Sequence, residues 1–288
     1  MQKNPSAIVF RPFWRPSIEV GKGKREGMAK IYIGVDIGSL TVKVVLIDQE
    51  TEMIAYDTAR AGYSGREVAV QMVAKLLAES GLSREDVGGT VATGYGRITF
   101  PADREVSEIT CQARGIHHLF PTARTVIDIG GQDSKVIQML PNGKVVDFAM
   151  NDKCAAGTGR FLEVMASALE ISLNDIGNLA ETSRNPTAIS SFCTVFAESE
   201  VITHVSAGKP KEDILAGVCA SVASRVASLA QRIGLVPDIV FTGGVARNQG
   251  VLAALRRQLS HPLLVYSEPS ITAAWGAALM ASRQSPSA

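Results

Sequence analysis

The chain repeats one order of predicted secondary structure, and this repetition restricts its fold more than any other feature of the sequence. In each copy, three short runs rich in β-branched or apolar residues predict strands, and a helical pattern follows them. The first copy occupies 31–37, 42–47, 53–56 and 66–79, and the second occupies 125–129, 135–139, 144–149 and about 158–169. Both copies open on the pattern Asp-Ile-Gly-x-x-x-x-Lys, at 36–43 and at 128–135. The sequence therefore predicts an internally duplicated chain.

Helices alternate with strands in the rest of the chain. The further elements are a strand at 89–92 and helices at about 105–120 and 211–233, then a strand at 238–241, a helix after Ala246, a strand at 263–265 and a helix from Thr272. Such alternation favours mixed or parallel sheets that are covered by helices on both faces. We therefore predict an α/β fold with two lobes and a cleft between them.

The predicted domains follow from these elements. Residues 29–123 plus 270–288 form the first lobe, and residues 124–269 form the second. Residues 1–28 are rich in Arg, Lys and Pro and show no helical or strand period, which predicts a disordered basic extension.

The charge balance excludes several classes of partner. With 29 basic and 28 acidic residues, the chain has no overall field to hold nucleic acid or an anionic membrane. No apolar run reaches the roughly 18 residues of a membrane span, and the N-terminus lacks an apolar stretch with a cleavage site. Four cysteines are too few for a disulfide framework in a chain of 288 residues. We expect a cytoplasmic protein that binds small ligands.

The opening pattern of each copy is suited to binding phosphate. A carboxylate ends an apolar strand, and a tight turn of small residues returns into the next strand. Backbone N–H groups and hydroxyls in such a turn bind phosphate, while the carboxylate holds Mg²⁺ or orients a water. Asp36 and Asp128 are the predicted catalytic residues. The predicted nucleotide contacts are Gly38, Ser39, Thr41 and Lys43 in the first turn, and Gly130, Gly131 and Gln132 in the second.

A third glycine-rich element lies where the strand at 238–241 ends. Gly243 and Gly244 leave the backbone bare, so that a flat nucleoside can lie against it, and Asn248 follows. The three elements together resemble the phosphate-1, phosphate-2 and adenosine motifs of the superfamily of acetate and sugar kinases, heat-shock chaperones and actin. The segment 272–278 resembles its second interlobe helix. The resemblance covers about 29–281 and implies a two-lobed ribonuclease-H-like fold that binds ATP.

The four cysteines fall into two groups. Cys111 and Cys219 lie in helical patterns and are predicted to fill the core. Cys154 lies in a Gly-rich approach to a helix and Cys193 just before another, so both are predicted at helix N-termini, where a thiolate is stabilised. Two thiolates are half of a four-thiolate site, so a metal bound only by them would be shared in a dimer. Their spacing of 39 residues is no recognised metal signature and, taken alone, favours two accidental cysteines near helix starts.

The segments around these two cysteines carry a closer resemblance. Residues 153–163 and 193–202 resemble the cluster-ligand segments of the 2-hydroxyacyl-CoA dehydratase activators and of the ATPase subunits of benzoyl-CoA reductase. The resemblance implies one [4Fe-4S] cluster per dimer, held by Cys154 and Cys193 of each protomer. It also implies that ATP drives a low-potential electron from ferredoxin or flavodoxin to an acyl-CoA dehydratase or aromatic acyl-CoA reductase. The N-terminal extension departs from the family pattern, which leaves the identity of the partner open. The sequence also does not decide between a homodimer and a dimer with a homologous subunit.

Two other functions remain open on the sequence alone. A small-molecule kinase on the same fold would need a general base for a substrate hydroxyl, and no clear candidate stands out. A nucleotide-binding module without turnover would keep the fold and carry no cluster. A brown, oxygen-sensitive protein would favour the electron-transfer function over both.

Overall fold

The computed structural model describes residues 30–190 and 193–283. The predicted N-terminal extension lies outside these residues. Within them the chain forms two compact units. The N-terminal unit comprises residues 30–121, 142–144 and 270–283, and the C-terminal unit comprises residues 122–141 and 145–269.

Each unit is built on one five-stranded sheet. The strands of the N-terminal unit are β1 Ile31–Ile37, β2 Thr41–Ile47, β3 Met53–Arg60, β4 Val87–Thr93 and β5 Arg104–Glu105. Those of the C-terminal unit are β6 Thr125–Ile129, β7 Ser134–Met139, β8 Val145–Asn151, β9 Ile239–Thr242 and β10 Leu264–Val265. The strand orders β3-β2-β1-β4-β5 and β8-β7-β6-β9-β10 correspond strand for strand. In each sheet the first three strands are antiparallel and the remaining pairs are parallel. The predicted internal duplication is confirmed.

The helices follow the strands along the chain. They are α1 Gly65–Glu79, α2 Glu108–Leu119, α3 Gly159–Ala168, α4 Asp175–Glu181, α5 Thr194–Ser206, α6 Lys211–Ile233, α7 Gln249–Leu259 and α8 Thr272–Ser282. Short 3₁₀ turns lie at Arg84–Asp86, Arg97–Thr99, Gly244–Arg247 and Pro269–Ile271. The sequence analysis missed α4 and β5, because seven and two residues are too few to show a period.

The core of the N-terminal unit depends on close backbone contact at glycines. A Cβ at Gly34 of β1 would overlap the carbonyl oxygen of Ala274 on α8, and a Cβ at Gly276 of α8 would overlap that of Cys111 on α2. Gln112 Nε2 donates to Thr272 Oγ1 at 2.9 Å inside this contact. The central strand β1 is buried at every position, which is why its sequence is a continuous apolar run rather than an alternating one.

The core of the C-terminal unit surrounds α6. Most of the residues of this helix are buried, so it is apolar on nearly all sides. Among the described helices it alone is long and apolar enough to cross a membrane, whereas the sequence analysis expected no apolar run of that length. However, 78% of its most apolar window is buried inside the protein, which is the arrangement of a core helix.

Candidate functional site

The β1–β2 hairpin places a lysine against the predicted catalytic carboxylate. Asp36 and Lys43 are antiparallel partners, and Lys43 Nζ donates to Asp36 Oδ2 at 2.9 Å. Gly38 N donates to Thr41 O at 3.0 Å, which closes the half-buried turn that contains Ser39. The lysine neutralises the carboxylate, which is 4% exposed, because a buried charge is tolerated only with a partner.

The second oxygen of Asp36 has no such partner in the described part of the chain. Asp36 Oδ1 is buried and accepts no hydrogen bond from the described residues. Burying an acceptor without a donor is costly, so this oxygen has capacity for a ligand. A carboxylate oxygen beside a predicted phosphate-binding turn is the kind of donor that Mg²⁺ or its bound water requires. The hairpin therefore fits a Mg²⁺–polyphosphate group.

A second turn closes over this carboxylate and was missed by the sequence analysis. Strand β4 runs parallel to β1 with Thr93 beside Asp36. The next residue, Gly94, has φ +84°, and a Cβ there would overlap both Asp36 Oδ1 and the carbonyl oxygen of Ile37. Only glycine fits this position, for reasons of both backbone conformation and space. A possible signal was the Thr-Gly pair at the strand end, which recurs as Thr242-Gly243 after β9.

The β6–β7 hairpin repeats the first with one difference. Asp128 is the antiparallel partner of Lys135 and the parallel neighbour of Thr242, as Asp36 is of Lys43 and Thr93. Lys135 Nζ donates at 2.7 Å to Asp133 Oδ1, and both side chains are buried. Asp133 occupies the position that Thr41 has in the first copy, five residues after the predicted catalytic aspartate. The second hairpin therefore shares the backbone of the first and places a further carboxylate, that of Asp133, against its lysine.

The predicted adenosine motif closes over Asp128 in the same way. Gly243 has φ +86°, and a Cβ there would overlap Asp128 Oδ1 and the Ile129 carbonyl oxygen. Gly243 N and Thr242 Oγ1 both donate to Pro269 O, at 3.1 and 2.7 Å, which fixes the turn. A Cβ at Gly244 would meet no atom within 4 Å, so the backbone is bare at this residue. The structure thus brings together Asp128 and the Gly-Gly turn.

Asn248 has a structural role at this motif. Its Oδ1 accepts a hydrogen bond from Val251 N at 3.0 Å and caps α7. The Sγ of Cys219, on α6, lies 3.9 Å from the same oxygen. Asn248 therefore orients the helix that follows the glycines, and its predicted nucleotide contact stays a prediction.

The turn of the second hairpin also holds the first residues of α3. Gly159 N donates to Gly130 O at 2.9 Å, and Arg160 N donates to Gly131 O at 2.7 Å. These are two of the N–H groups that a helix leaves unpaired at its start. Gln132, in the same turn, is exposed. The predicted phosphate turn and the start of α3 are thus joined by two hydrogen bonds within one unit.

Cys154 lies in the loop that leads from β8 to α3. Asn151 Nδ2 donates to the carbonyl oxygens of Cys154 and Ala156 at 2.8 and 3.1 Å, and Cys154 N donates to Asn151 Oδ1 at 3.3 Å. The residue before α3 is Thr158, so Cys154 lies four residues before the helix cap. The prediction that Cys154 occupies a helix N-terminus is therefore wrong, because the chain makes a turn before α3 begins.

Cys193 lies directly at the start of α5, as predicted, and is its N-cap residue. Glu200 on the same helix accepts a hydrogen bond from Ser190 N at 2.6 Å and so ties the preceding segment to α5. Helices α3 and α5 pack against each other. The thiols of Cys193 and Cys154 are both free and partly exposed.

The other two cysteines fill the core, as predicted. Cys111 on α2 and Cys219 on α6 are 0% and 1% exposed. Burial raises the pKa of each thiol to about 12. Both remain neutral near pH 7, whereas a metal ligand must be a thiolate.

The described part of the chain contains no group of three or more His, Cys, Asp or Glu residues that could hold a metal ion. Cys154 and Cys193 are thus the available thiolate donors, and a four-thiolate site would need a second chain. The donor chemistry fits a shared cluster and does not fit a complete site within one described chain.

Comparison with known proteins gives one family. The BadF/BadG/BcrA/BcrD ATPase family model matches residues 33–281. The chain is 46% identical over 250 residues to the 2-hydroxyisocaproyl-CoA dehydratase activator of Clostridioides difficile, which covers 86% of this chain and 94% of the relative. It is 45% identical over 251 residues to the (R)-2-hydroxyglutaryl-CoA dehydratase activating ATPase of Acidaminococcus fermentans, with 86% and 96% covered.

A solved structure extends the likeness to the fold. The activator of the 2-hydroxyisocaproyl-CoA dehydratase from Clostridium difficile with bound ADPNP superimposes with a TM-score of 0.85. The sequence identity in that comparison is 45%, and 88% of this chain and 95% of the other are covered.

Proposed function

This chain belongs to the BadF/BadG/BcrA/BcrD ATPase family, and from that membership we propose that it is an ATP-dependent electron-transfer activator. It is an ATPase of actin-like fold, and the resemblance to dehydratase activators is confirmed. We further propose that ATP binding and hydrolysis drive a low-potential electron from a [4Fe-4S] cluster to a partner acyl-CoA dehydratase or aromatic acyl-CoA reductase.

We assign the nucleotide to residues of both hairpins and of the Gly243–Gly244 turn. Asp36 Oδ1, which is buried and has no hydrogen-bond donor among the described residues, is the oxygen that we assign to Mg²⁺ or its water. Lys43 holds the Asp36 carboxylate in place by its 2.9 Å ion pair. The bare backbone at Gly244 leaves room for the nucleoside. A bound Mg²⁺ would supply charge neutralisation on the phosphates.

We assign one [4Fe-4S] cluster to a dimer, with Cys154 and Cys193 as the ligands from each protomer. Support comes from the surface of α5, which begins at Cys193. Val195, Phe196, Ile202 and Val205 of this helix are 64%, 70%, 51% and 49% exposed. Such a density of exposed apolar residues on one helix is typical of an interface. The helix begins at Cys193, and one protomer supplies only two of the four thiolates, so we propose that a second copy of this chain or a homologous subunit covers this surface. When bound, the cluster would supply one-electron chemistry at low potential.

The observation that carries the coupling is the pair of hydrogen bonds between the phosphate turn and α3. Gly130 and Gly131, which are predicted to contact phosphate, accept from Gly159 N and Arg160 N. Cys154 lies in the loop that leads into these residues. A change in the turn on nucleotide binding would therefore move the backbone that bears a cluster ligand, without passing through any other element.

The partners follow from the proposed reaction. The electron donor would be ferredoxin or flavodoxin, and the acceptor an acyl-CoA dehydratase or aromatic acyl-CoA reductase. Neither a nucleic acid nor a membrane is proposed, since the 29 basic and 28 acidic residues balance. We also propose a cytoplasmic location.

The kinase alternative gains no support, because the turn over Asp36, residues 94–97, contains no carboxylate or imidazole to act as a general base.

Anaerobic purification followed by a redox titration tests this function. We expect a brown protein with about four irons per dimer, and a reduction potential or a rate of electron transfer to the partner that changes when Mg-ATP or a non-hydrolysable analogue is added. Asp128→Ala should bind the cluster and lose this response. A colourless protein would favour the kinase or the nucleotide-binding module. Identical potentials and rates with and without nucleotide would refute the coupling even if the cluster is present.

A further inference from the structure

Arg225 on α6 directs its guanidinium at the sulfur of Cys154. Arg225 Nη2 lies 4.0 Å from Cys154 Sγ, within reach of a weak hydrogen bond to sulfur. The two residues are 71 positions apart in the sequence, so the contact is made by the tertiary fold. Both residues are half-buried, which places the positive charge and the sulfur where water screens their interaction only in part.

The backbone after Cys154 is shaped around this arginine. Gly157 has φ +86°, and a Cβ there would lie 2.8 Å from Arg225 Cγ and 3.0 Å from Arg225 Cβ. Any residue other than glycine would therefore push the arginine stem away from the loop. On the other side of the loop, Asn151 holds the carbonyl oxygens of Cys154 and Ala156. The sulfur and the guanidinium are thus brought together by contacts that need no metal.

We propose that Arg225 is a positioning residue that holds the Cys154 thiolate and raises the reduction potential of the cluster bound there. This inference rests on the proposed function, since it concerns the ligand that Cys154 would hold. Reduction adds one negative charge to the cluster, and a nearby cation stabilises the more negative state. N–H groups directed at cluster sulfurs act in the same sense. Removal of the guanidinium should therefore make the cluster harder to reduce.

The test compares variants of the full-length protein reconstituted with iron and sulfide under anaerobic conditions. Arg225→Gln removes the charge, Arg225→Lys keeps it, and Arg232→Gln removes a charge from an exposed position in the last turn of the same helix. Iron content is measured first, and the ratio of reduced to oxidised cluster is then read by electron paramagnetic resonance at one fixed potential. We expect this ratio to fall about tenfold in Arg225→Gln, which corresponds to about 59 mV for a one-electron couple. It should remain within about threefold of wild type in the other two variants.

Each outcome decides the matter. A lower ratio in Arg225→Gln, or loss of its iron, together with retention of both by Arg225→Lys supports the inference. An unchanged ratio in Arg225→Gln with full iron content overturns it while leaving the cluster and the proposed function intact. Loss of iron from both Arg225 variants would mean that the side chain only packs, and the proposed effect of charge would be wrong. Absence of iron from the wild-type protein would overturn the proposed function itself, together with this inference.

Discussion

Gly94 lies so close to Asp36 that any Cβ at this position would overlap the carboxylate oxygen Oδ1. Gly243 has the same relationship to Asp128 in the other unit. The duplication therefore extends beyond the two hairpins to the turns that close over them. Each proposed catalytic carboxylate lies between a cross-strand lysine position on one side and a glycine in the left-handed region on the other.

The first prediction concerns Gly94. In Gly94→Ala the new methyl group should displace the Asp36 carboxylate, and a misplacement of about 1 Å can lower a rate about 100-fold. We expect a large loss of Mg²⁺-dependent ATP hydrolysis and a higher requirement for Mg²⁺. Gly81→Ala is the matched control, because Gly81 has φ +66° but its Cβ would meet no atom within 4 Å. Equal losses of activity in both variants would point to backbone strain instead of displacement.

The second prediction concerns the carboxylates themselves. Asp36→Ala and Asp128→Ala should each abolish Mg²⁺-dependent ATP hydrolysis, because the metal would lose an oxygen ligand or its oriented water. The cluster should remain bound, since neither residue belongs to its ligand set. Asp57→Ala on β3 and Asp147→Ala on β8 serve as controls in the same sheets. Phosphate release and iron content are measured in all four variants, and wild-type turnover in Asp36→Ala and Asp128→Ala would show that the site is elsewhere.

The third prediction separates the cysteines. Cys154→Ser or Cys193→Ser should abolish iron binding, whereas Cys111→Ser and Cys219→Ser should retain iron because both thiols are buried in the core. Iron analysis should give about four atoms per dimer, the content of one cubane cluster. Four irons per protomer would mean that the cluster is not shared. Retention of iron in the Cys154 and Cys193 variants would show that these two cysteines are not the cluster ligands.

The fourth prediction concerns pH. Burial raises the pKa of Cys111 and Cys219 from 9.0 to about 12 in the folded protein. The folded state thus keeps a proton that the unfolded state releases, so the stability from these thiols is complete below about pH 9 and is lost as the pH rises towards 12. The urea midpoint should fall across this window less steeply in a Cys111→Ala, Cys219→Ala double variant than in wild type. Parallel curves would show that neither thiol contributes.

The fifth prediction concerns the contact between α2 and α8. A methyl group at Gly276 would overlap the carbonyl oxygen of Cys111, so Gly276→Ala should force the two helices apart. Overpacking of this kind typically costs about 1–3 kcal/mol. Gln71→Ala, at an exposed position of α1, is the control and should leave the urea midpoint unchanged. A midpoint equal to that of wild type in Gly276→Ala would mean that the helix pair relaxes without cost.

Much of the fold could be predicted from local patterns in the sequence. Strands β1 and β6 are continuous apolar runs that end in Asp-Ile-Gly, and this combination located both hairpins and the duplicated fold. Contacts between residues that are distant in the sequence could not be predicted in the same way. Gly94 is 58 residues after Asp36, and no local period connects a turn to a carboxylate on a neighbouring strand.

The ion pairs show the same limit. Both hairpins have the spacing Asp-x₆-Lys, yet this spacing does not reveal that Lys135 donates to Asp133, which stands where the first copy has Thr41. Likewise, the Gly-rich approach to α3 suggested that Cys154 begins the helix. The chain instead makes a turn at Ala156 and Gly157, and the helix starts only at Gly159.

The position of α8 has a consequence for synthesis on the ribosome. The C-terminal unit uses chain only up to residue 269, so its core can form as soon as that stretch has emerged. The N-terminal unit, although synthesised first, must wait for the last helix, because Gly34 of β1 packs directly on Ala274. Until then the apolar central strand lacks its cover and is exposed to the solvent and to aggregation. The unit whose residues are made first is therefore the one that is completed last.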